Sequence, residues 1–150
     1  MLSQERIREI ISFVEDLKKQ RHTNDPYQIA AMYGIKITEL DSCYKDFTAQ
    51  TIAMPGYPIL IWINGSYTYY SKRVLCAHEL GHAFFHTSKV CNHFAQGAAS
   101  LYTDEEHEAN LFAVALLTNA SIYNKLDFSL EIMDNNTLKS ILDYNLSFKV

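Results

Sequence analysis

A His-Glu-x-x-His motif, formed by His78, Glu79 and His82, lies in a stretch whose residues predict a helix from about Thr68 to Thr87. Four residues make a little over one helical turn, so the two histidines lie on the same face of that helix. Two imidazoles placed in this way can share one tetrahedral zinc ion. Glu79 stands beside them, where its carboxylate could take a proton from a water on the metal. The motif predicts a hydrolytic metal site, provided that the chain also supplies a third ligand and a suitable fold.

A third histidine is the first candidate for the missing ligand, because catalytic zinc usually has three protein ligands and one open position. One known arrangement has a third histidine six residues after the second, but this chain has Ser88 there. His86 lies one further turn along the motif face, and one helix cannot bring three successive turns to one ion at bonds of about 2 Å. We therefore predict that His86 is a neighbour of the ligands. His93, close to Cys91, is a weak competitor for the third position, because two such residues in a loop are more often incidental.

Three glutamates, Glu105, Glu106 and Glu108, open a second predicted helix that is almost solidly apolar further on. A carboxylate in this place usually interacts only with the helix dipole. Of the three glutamates, Glu106 is the one favoured as a metal ligand. Small residues follow it on its own face, where close packing against the motif helix would need them, and Asn110 could hydrogen-bond a ligand. Glu108 lies roughly 200° around the helix from Glu106, so both cannot bind one ion. The residues on the Glu106 face are Ala109, Asn110, Ala113 and Leu117.

The segments before the motif helix predict two helices and then a small sheet. Ser3 to about Gln20 has apolar residues at helical spacing with charges between them, which predicts an amphipathic helix. Asp25-Pro26 is typical of a helix start, and Gly34 is typical of a helix end after Tyr33. Strands are predicted at Ile35–Thr38, Thr48–Met54 and Ile59–Ile63, with a loop at Asp41–Phe47 and a turn at Pro55–Pro58.

The strand Ile59–Ile63 is continuously apolar, which predicts burial on both of its faces. Downstream, Ser88 to Tyr102 predicts an irregular segment, and Asp104 begins the second buried helix. The tail predicts short helices at Ser129–Met133 and Thr137–Tyr144. The sequence therefore predicts an α+β fold in which a small, mostly antiparallel sheet packs on the motif helix and on a second buried helix.

The composition of the chain fits one soluble domain spanning residues 1–150. Its formal net charge is −4 and no run of Lys or Arg stands out, so direct nucleic-acid binding is disfavoured. The N-terminus has no apolar signal-peptide core, and no segment approaches the roughly 18 apolar residues of a membrane span. The three cysteines, an odd number without a disulfide spacing, indicate free thiols in a reducing cytoplasm.

Two motifs together make the chain resemble the ImmA/IrrE family of metallopeptidases. The first reads Ala-His-Glu-Leu-Gly-His at positions 77–82, and the second reads Glu-His-Glu-Ala-Asn-Leu-Phe-Ala at positions 106–113. The second matches the family pattern Glu-x-x-Ala-Asn-x-Phe-Ala, whose first glutamate binds zinc, so the resemblance implies that Glu106 is the third ligand. It extends over about Asp25 to Leu117 and implies a zincin-like metallopeptidase fold.

The resemblance also implies a function. Members of the family resemble regulatory proteases, often from phages and other mobile elements, that act on a helix-turn-helix repressor and so release transcription. This chain is then expected to be a zinc-dependent endopeptidase whose partner is a protein rather than DNA. Glu79 would pass the proton of the attacking water to the leaving amine, and the substrate could bind extended along an exposed edge of the sheet.

Three alternatives stay open at the level of the sequence. The chain could be a regulatory binding module that keeps the zincin fold without cutting its partner, although an intact Glu79 argues for chemistry. The two histidines could bind a structural zinc or be ordinary buried residues, although Gly81 between them is a poor helix former without a packing reason. The chain could also be a broad, housekeeping peptidase.

Overall fold

The structure, a computed structural model, describes residues 1–41, 47–87, 91–92, 104–119 and 130–142. Its helices are α1 (Gln4–Arg21), α2 (Pro26–Met32), α3 (Tyr69–Phe85), α4 (Asp104–Leu117) and α5 (Asn135–Leu142). Its strands are β1 (Lys36–Leu40), β2 (Ala49–Ala53), β3 (Leu60–Asn64) and β4 (Cys91–Asn92). The prediction of an α+β fold is confirmed.

Local side chains explain where the first helices begin and end. Ser3 and Thr68 each accept a hydrogen bond from a backbone N–H in the first turn of α1 and α3, respectively. Asp25 caps α2, whose first residue is Pro26. Gly34 follows α2 with a φ of +69°, a left-handed conformation that glycine adopts without strain. None of the helices in the described ranges is long and apolar enough to cross a membrane.

The described strands form one sheet in the order β1-β3-β2-β4. β1 runs parallel to β3, whereas β2 is antiparallel to both of its neighbours, so these pairings are mostly antiparallel, as predicted. The prediction that β3 is buried on both faces is wrong. Ile61 and Ile63 are fully buried in the core, but Leu60 and Trp62 point to the opposite face and are only half-buried. A mostly antiparallel sheet commonly packs one face on the core and leaves the other nearer to water.

The helix α4 packs against both α3 and α1 and is buried along most of its length. Lys18 of α1 donates from Nζ to the carbonyl oxygens of Ala115 and Thr118, at 2.9 and 3.0 Å. These bonds satisfy carbonyl groups at the end of α4 that have no partner within the helix. Because α3 packs on β2 and β3 as well, it joins the helices to the sheet. The residues that α1 buries are Ile7, Ile10, Val14 and Leu17.

The C-terminal part differs from the sequence prediction in two places. Cys91–Asn92 forms β4 inside the stretch predicted to be irregular, because it pairs with the end of β2. Residues 130–133 form a turn and an irregular stretch instead of the predicted helix. There Asp134 accepts a hydrogen bond from the backbone N–H of Thr137, which starts α5 two residues before the predicted start. The remaining predictions, on residues 42–46, 88–90, 93–103, 129 and 143–144, fall outside the described residues.

Candidate metal centre

His78 and His82 lie on one face of α3, one turn apart, and both are buried. Their Nε2 atoms are 3.2 Å apart. Glu106, in the first turn of α4, faces both histidines. Its Oε2 atom lies 3.3 Å from Nε2 of His78, and its Oε1 atom lies 3.1 Å from Nε2 of His82. The structure thus brings together, from two helices, the three residues that the sequence indicates as metal ligands.

Gly81 and Ala109 allow α3 and α4 to approach closely enough for Glu106 to reach the histidines. A Cβ atom at position 81 would lie 3.0 Å from Cα of Ala109 and 3.1 Å from Cβ of Phe112. A larger residue would therefore require α4 to shift away. This close approach of two backbones is the packing reason for a glycine in the middle of α3.

The three side chains fit a zinc ion in spacing and in chemistry. Ligand atoms in a tetrahedral site with bonds of about 2 Å lie about 3.3 Å apart. The two Nε2 atoms here are 3.2 Å apart, and each faces a different oxygen of the Glu106 carboxylate, at 3.3 Å for His78 and 3.1 Å for His82. Two imidazoles and one carboxylate form a donor set found in catalytic zinc sites. Among the described residues, no other group of three His, Cys, Asp or Glu side chains is close enough to share an ion.

The charges in this cluster favour a cation between the three side chains. Burial alone would lower the pKa of His78, but its hydrogen bond to Glu106 and the negative charge of that carboxylate outweigh burial and raise the pKa to about 9. Burial would raise the pKa of Glu106, yet the two imidazoles hold it well below its ordinary range. The position that binds a proton so firmly also attracts a metal ion, because protons and metals compete for the same lone pairs.

Asn110, predicted to support a ligand, contacts His78. Its Oδ1 atom lies 2.7 Å from Nδ1 of His78. Its Nδ2 atom donates to the carbonyl oxygen of Met133 at 2.8 Å and to Oδ1 of Asn135 at 3.0 Å, which fixes the orientation of the amide. Nδ1 of His78 is therefore the donor to Asn110, and Nε2 is the ring nitrogen left to face Glu106.

His86 lies beside the ligands and outside the set of three. It is the residue that follows α3, and its Nδ1 atom is 2.8 Å from Nδ1 of His82. The contact is made on the side of the His82 ring that faces away from Glu106, since the Nε2 atom of His82 faces the carboxylate. This position agrees with the expectation that His86 is a neighbour of the ligands, and its role stays a prediction.

Glu79, the predicted catalytic base, is buried next to the cluster and is held by a residue of the sheet. Thr51 of β2 has its Oγ1 atom 2.7 Å from Oε2 of Glu79 and 3.0 Å from the Glu79 carbonyl oxygen. The single hydroxyl proton can be donated to either oxygen, so Thr51 can keep this contact whether or not the carboxyl group is protonated. Burial raises the pKa of Glu79 above its ordinary range.

The sequence predicts the residues of the cluster but misses the residues that hold them. Thr51 lies in a predicted strand, where nothing in its neighbours distinguishes it from other polar strand residues. Met133 and Asn135 belong to the tail, far along the chain from Asn110. No short motif could have indicated these contacts, because each one joins separate elements. His93, the weak competitor, lies outside the described residues.

One comparison with known proteins finds a match. A family model described as Peptidase_M78, IrrE N-terminal-like domain, matches residues 30–140. The matched span contains all the described strands and both α3 and α4, whereas α1 lies before it. The curated proteins and the solved structures give no match.

Proposed function

The chain belongs to the Peptidase_M78 family, the IrrE N-terminal-like domain, and on that basis we propose that it is a zinc-dependent endopeptidase with His78, His82 and Glu106 as metal ligands. A metallopeptidase-type function follows from the family. The observation that carries the proposal is the meeting of these three side chains beside the buried carboxylate of Glu79. Two imidazoles and one carboxylate are the donor set of one class of catalytic zinc sites, which supports zinc as the metal.

The side chains around the cluster have distinct parts in the proposed reaction. A zinc ion held by the three ligands would polarise the substrate carbonyl and activate a water molecule for attack. Glu79 would accept the proton of that water at its carboxylate and then give it to the leaving amine. Thr51 would hold the carboxylate in one orientation during both steps.

The sheet suggests where a peptide substrate would bind. An extended peptide can add to the edge of a sheet through backbone hydrogen bonds. In the order β1-β3-β2-β4, β1 forms one edge, and β2, which carries Thr51, lies nearer to the other. We therefore propose that the substrate lies along the β4 side of the sheet, because that side is the nearer one to Glu79.

We propose further that the substrate is a helix-turn-helix repressor of a phage or mobile element, cleaved in the cytoplasm to release transcription. The resemblance of both motifs to the ImmA/IrrE family supports this choice. The net charge of −4 supports it as well, because it suits a protein partner better than a nucleic acid.

Co-expression of the chain with a helix-turn-helix repressor encoded beside it tests the proposal. We expect repressor fragments in mass spectrometry with the wild-type chain. Glu79→Gln keeps the size of the side chain and can still accept the hydrogen bond of Thr51, but it cannot hold the proton. The initial rate of cleavage should therefore fall by about 100- to 10,000-fold, while the zinc content of the purified protein stays unchanged.

Two results would contradict parts of the proposal. If Glu79→Gln inactivates the repressor as well as the wild-type chain does, the chain acts by binding and not by proteolysis. If an unrelated unfolded protein is cleaved at a rate comparable to that of the repressor, the chain is a broad peptidase without the proposed target.

A further inference from the structure

The first helix reaches the metal site, although it lies before the residues that the family model matches. Arg6 of α1 donates from Nε to Oε1 of Glu108 at 2.9 Å and from Nη2 to Oε2 of Glu108 at 2.8 Å. The two parallel bonds form a fork between guanidinium and carboxylate, which fixes the carboxylate in both position and rotation. The guanidinium of Arg6 also lies over the ring of Phe85, 5.1 Å from its centre.

The chain of hydrogen bonds continues from Glu108 to a metal ligand. Oε2 of Glu108 lies 2.9 Å from Nε2 of His86, and Nδ1 of His86 lies 2.8 Å from Nδ1 of His82. A carboxylate paired with Arg6 can only accept, so Nε2 of His86 is the donor to Glu108. Because Nε2 of His86 donates, its Nδ1 is the ring nitrogen that can accept, and Nδ1 of His82 donates to it. Nε2 of His82 is then the ring nitrogen that faces Glu106 and would bind the metal ion.

Burial increases along this chain toward the metal site. The side chain of Arg6 is 33% exposed, that of Glu108 15%, that of His86 5% and that of His82 0%. The hydrogen bonds nearest to the ligand are thus out of reach of water, which cannot replace them. A partner of a ligating histidine that fixes its tautomer and ring orientation also raises its basicity as a ligand.

We infer that Arg6 is a positioning residue for the metal ligand His82 and acts on it through Glu108 and His86. The inference rests on the proposed function, because it takes His82 to be a ligand. It assigns to α1 a part in metal binding in addition to its part in the core. Glu108 lies on a different side of α4 from Glu106, so the two cannot bind one ion. Glu108 instead joins Arg6 to His86 through hydrogen bonds.

Zinc affinity is the measurement that tests the inference, by competition of the purified full chain with a chromophoric chelator. Arg6→Gln should weaken zinc binding by about 5- to 10-fold, and Glu108→Gln by about 10- to 100-fold, the usual cost of losing a group that supports a ligand. Arg8→Gln is the matched control, because it removes the same charge from an exposed position of the same helix. It should leave the affinity unchanged.

Two further variants separate positioning from a simple tether between α1 and α4. His86→Leu should weaken zinc binding by about 10- to 100-fold, whereas His86→Gln should keep most of the affinity, because its amide can accept from His82 and donate to Glu108. In the His86→Leu background, Arg6→Gln should have no further effect on affinity if Arg6 acts through His86. Unfolding of each variant in the presence of chelator checks that the variant is folded. If Arg6→Gln does not fold, Arg6→Lys takes its place, because lysine keeps the charge but cannot form the fork.

The possible failures are distinct. A wild-type chain that does not retain zinc overturns the proposed function and the inference together. A wild-type chain that binds zinc, with Arg6 and Glu108 variants of equal affinity, overturns the inference alone, even if those variants unfold more easily. An effect of Arg6→Gln that is just as large in the His86→Leu background overturns the route through His86.

Discussion

The helix α1 and the pair formed by α3 and α4 are both packed into the core, but they bury different chemistry. The buried positions of α1 form an apolar stripe, with polar residues left outside. The α3–α4 pair buries polar and ionisable side chains in addition to apolar ones. Within these two helices, the buried residues that form the proposed site or contact a ligand are His78, Glu79, His82, Glu106 and Asn110.

The difference shows which part of the molecule stabilises the fold and which part the proposed reaction needs. Complete burial of one large aliphatic side chain contributes about 1.5–3 kcal/mol, whereas a buried polar group is costly unless it has a partner. For His78, Glu106 and Asn110 the partners include other polar groups of the site, at 2.7–3.3 Å. We therefore expect α1 to contribute chiefly stability and the α3–α4 pair to contribute the site, with Arg6 as the point where α1 also serves the site.

His82→Ala should produce the largest effect, and the effect should be on metal binding. The variant loses one of three proposed ligands, so zinc affinity should fall by more than the roughly 100-fold that marks the upper range for supporting residues. The measurement is zinc content after dialysis, together with chelator competition. Retention of zinc at the wild-type level would contradict the assignment of His82 as a ligand.

Ile10→Ala should show the opposite pattern in α1. Ile10 is completely buried, so its truncation should lower the free energy of unfolding by about 2–5 kcal/mol. The zinc affinity of the folded protein should remain within a factor of about three, because Ile10 is an apolar residue of the core and offers no polar group to the site. Urea unfolding and chelator competition measure the two quantities.

Ile11→Ala is the matched control for Ile10→Ala, because Ile11 is the same residue type on the same helix and is only partly buried. Its cost in stability should be clearly smaller. If Ile10→Ala weakens zinc binding as much as His82→Ala does, the proposed division between α1 and the α3–α4 pair is wrong.

The pH dependence of stability tests the electrostatic contacts that distinguish the α3–α4 pair from α1. It is measured with chelator present, so that no metal is bound. The pKa of His78 rises from 6.5 to about 9, since Glu106 outweighs the effect of burial. A raised folded-state pKa adds stability that is complete below pH 6.5 and is lost as the pH rises toward 9. The free energy of unfolding should therefore decrease by about 2–3 kcal/mol over this window.

Glu106→Gln provides the control for this pH dependence. It removes the charge that raises the pKa of His78, so the decrease between pH 6.5 and 9 should largely disappear. The wild-type carboxylate itself stays ionised throughout the window, because its pKa lies below the ordinary value. With zinc present the trend should reverse, since the ligands bind metal more tightly as protons leave. An equal decrease in both proteins would refute the coupling of His78 to Glu106.

The sequence allows the α3–α4 pair to be predicted well, because helical spacing alone puts His78 and His82 on one face. The choice of Glu106 among three glutamates rests on the small residues that follow it on one face of α4, and on the family pattern. Gly81 is a poor helix former in the middle of a predicted helix, which indicates that another element packs closely against it. The placement of these residues could be predicted because a helix converts short-range spacing into position in space.

Contacts between distant segments could not be predicted in the same way. Arg6 and Glu108 are 102 residues apart, and an arginine in the first turn of an amphipathic helix has no feature that indicates a buried partner. Thr51 is likewise one polar residue in a predicted strand. The pairing of β4 with β2 depends on how two strands meet in space, and the half-exposed face of β3 depends on which elements cover the sheet.

Gly81→Ala should give the smallest effect, and its sign tests how closely α3 and α4 approach. In an isolated helix alanine is favoured over glycine by about 1 kcal/mol, so without a close neighbour the variant would be more stable. The added Cβ would lie 3.0 Å from the backbone of Ala109, however, and overpacking of this kind costs about 1–3 kcal/mol. We therefore expect a net loss of about 1 kcal/mol in urea unfolding, and a weaker zinc affinity because Glu106 moves with α4.

Gly65→Ala separates the close approach from the general effect of replacing a glycine. A Cβ atom there would meet its nearest neighbours at 3.5 Å, an ordinary van der Waals distance, so the variant should keep or raise the stability of the protein. Zinc affinity should not change, because Gly65 lies between β3 and α3, outside the contact with α4. If Gly81→Ala is as stable as Gly65→Ala and binds zinc equally well, α3 and α4 do not need this close contact. Glu106 would then reach the histidines by some other arrangement of the two helices. The contact between α3 and α4 would tolerate an added side-chain atom, as the exposed side of α1 is expected to do.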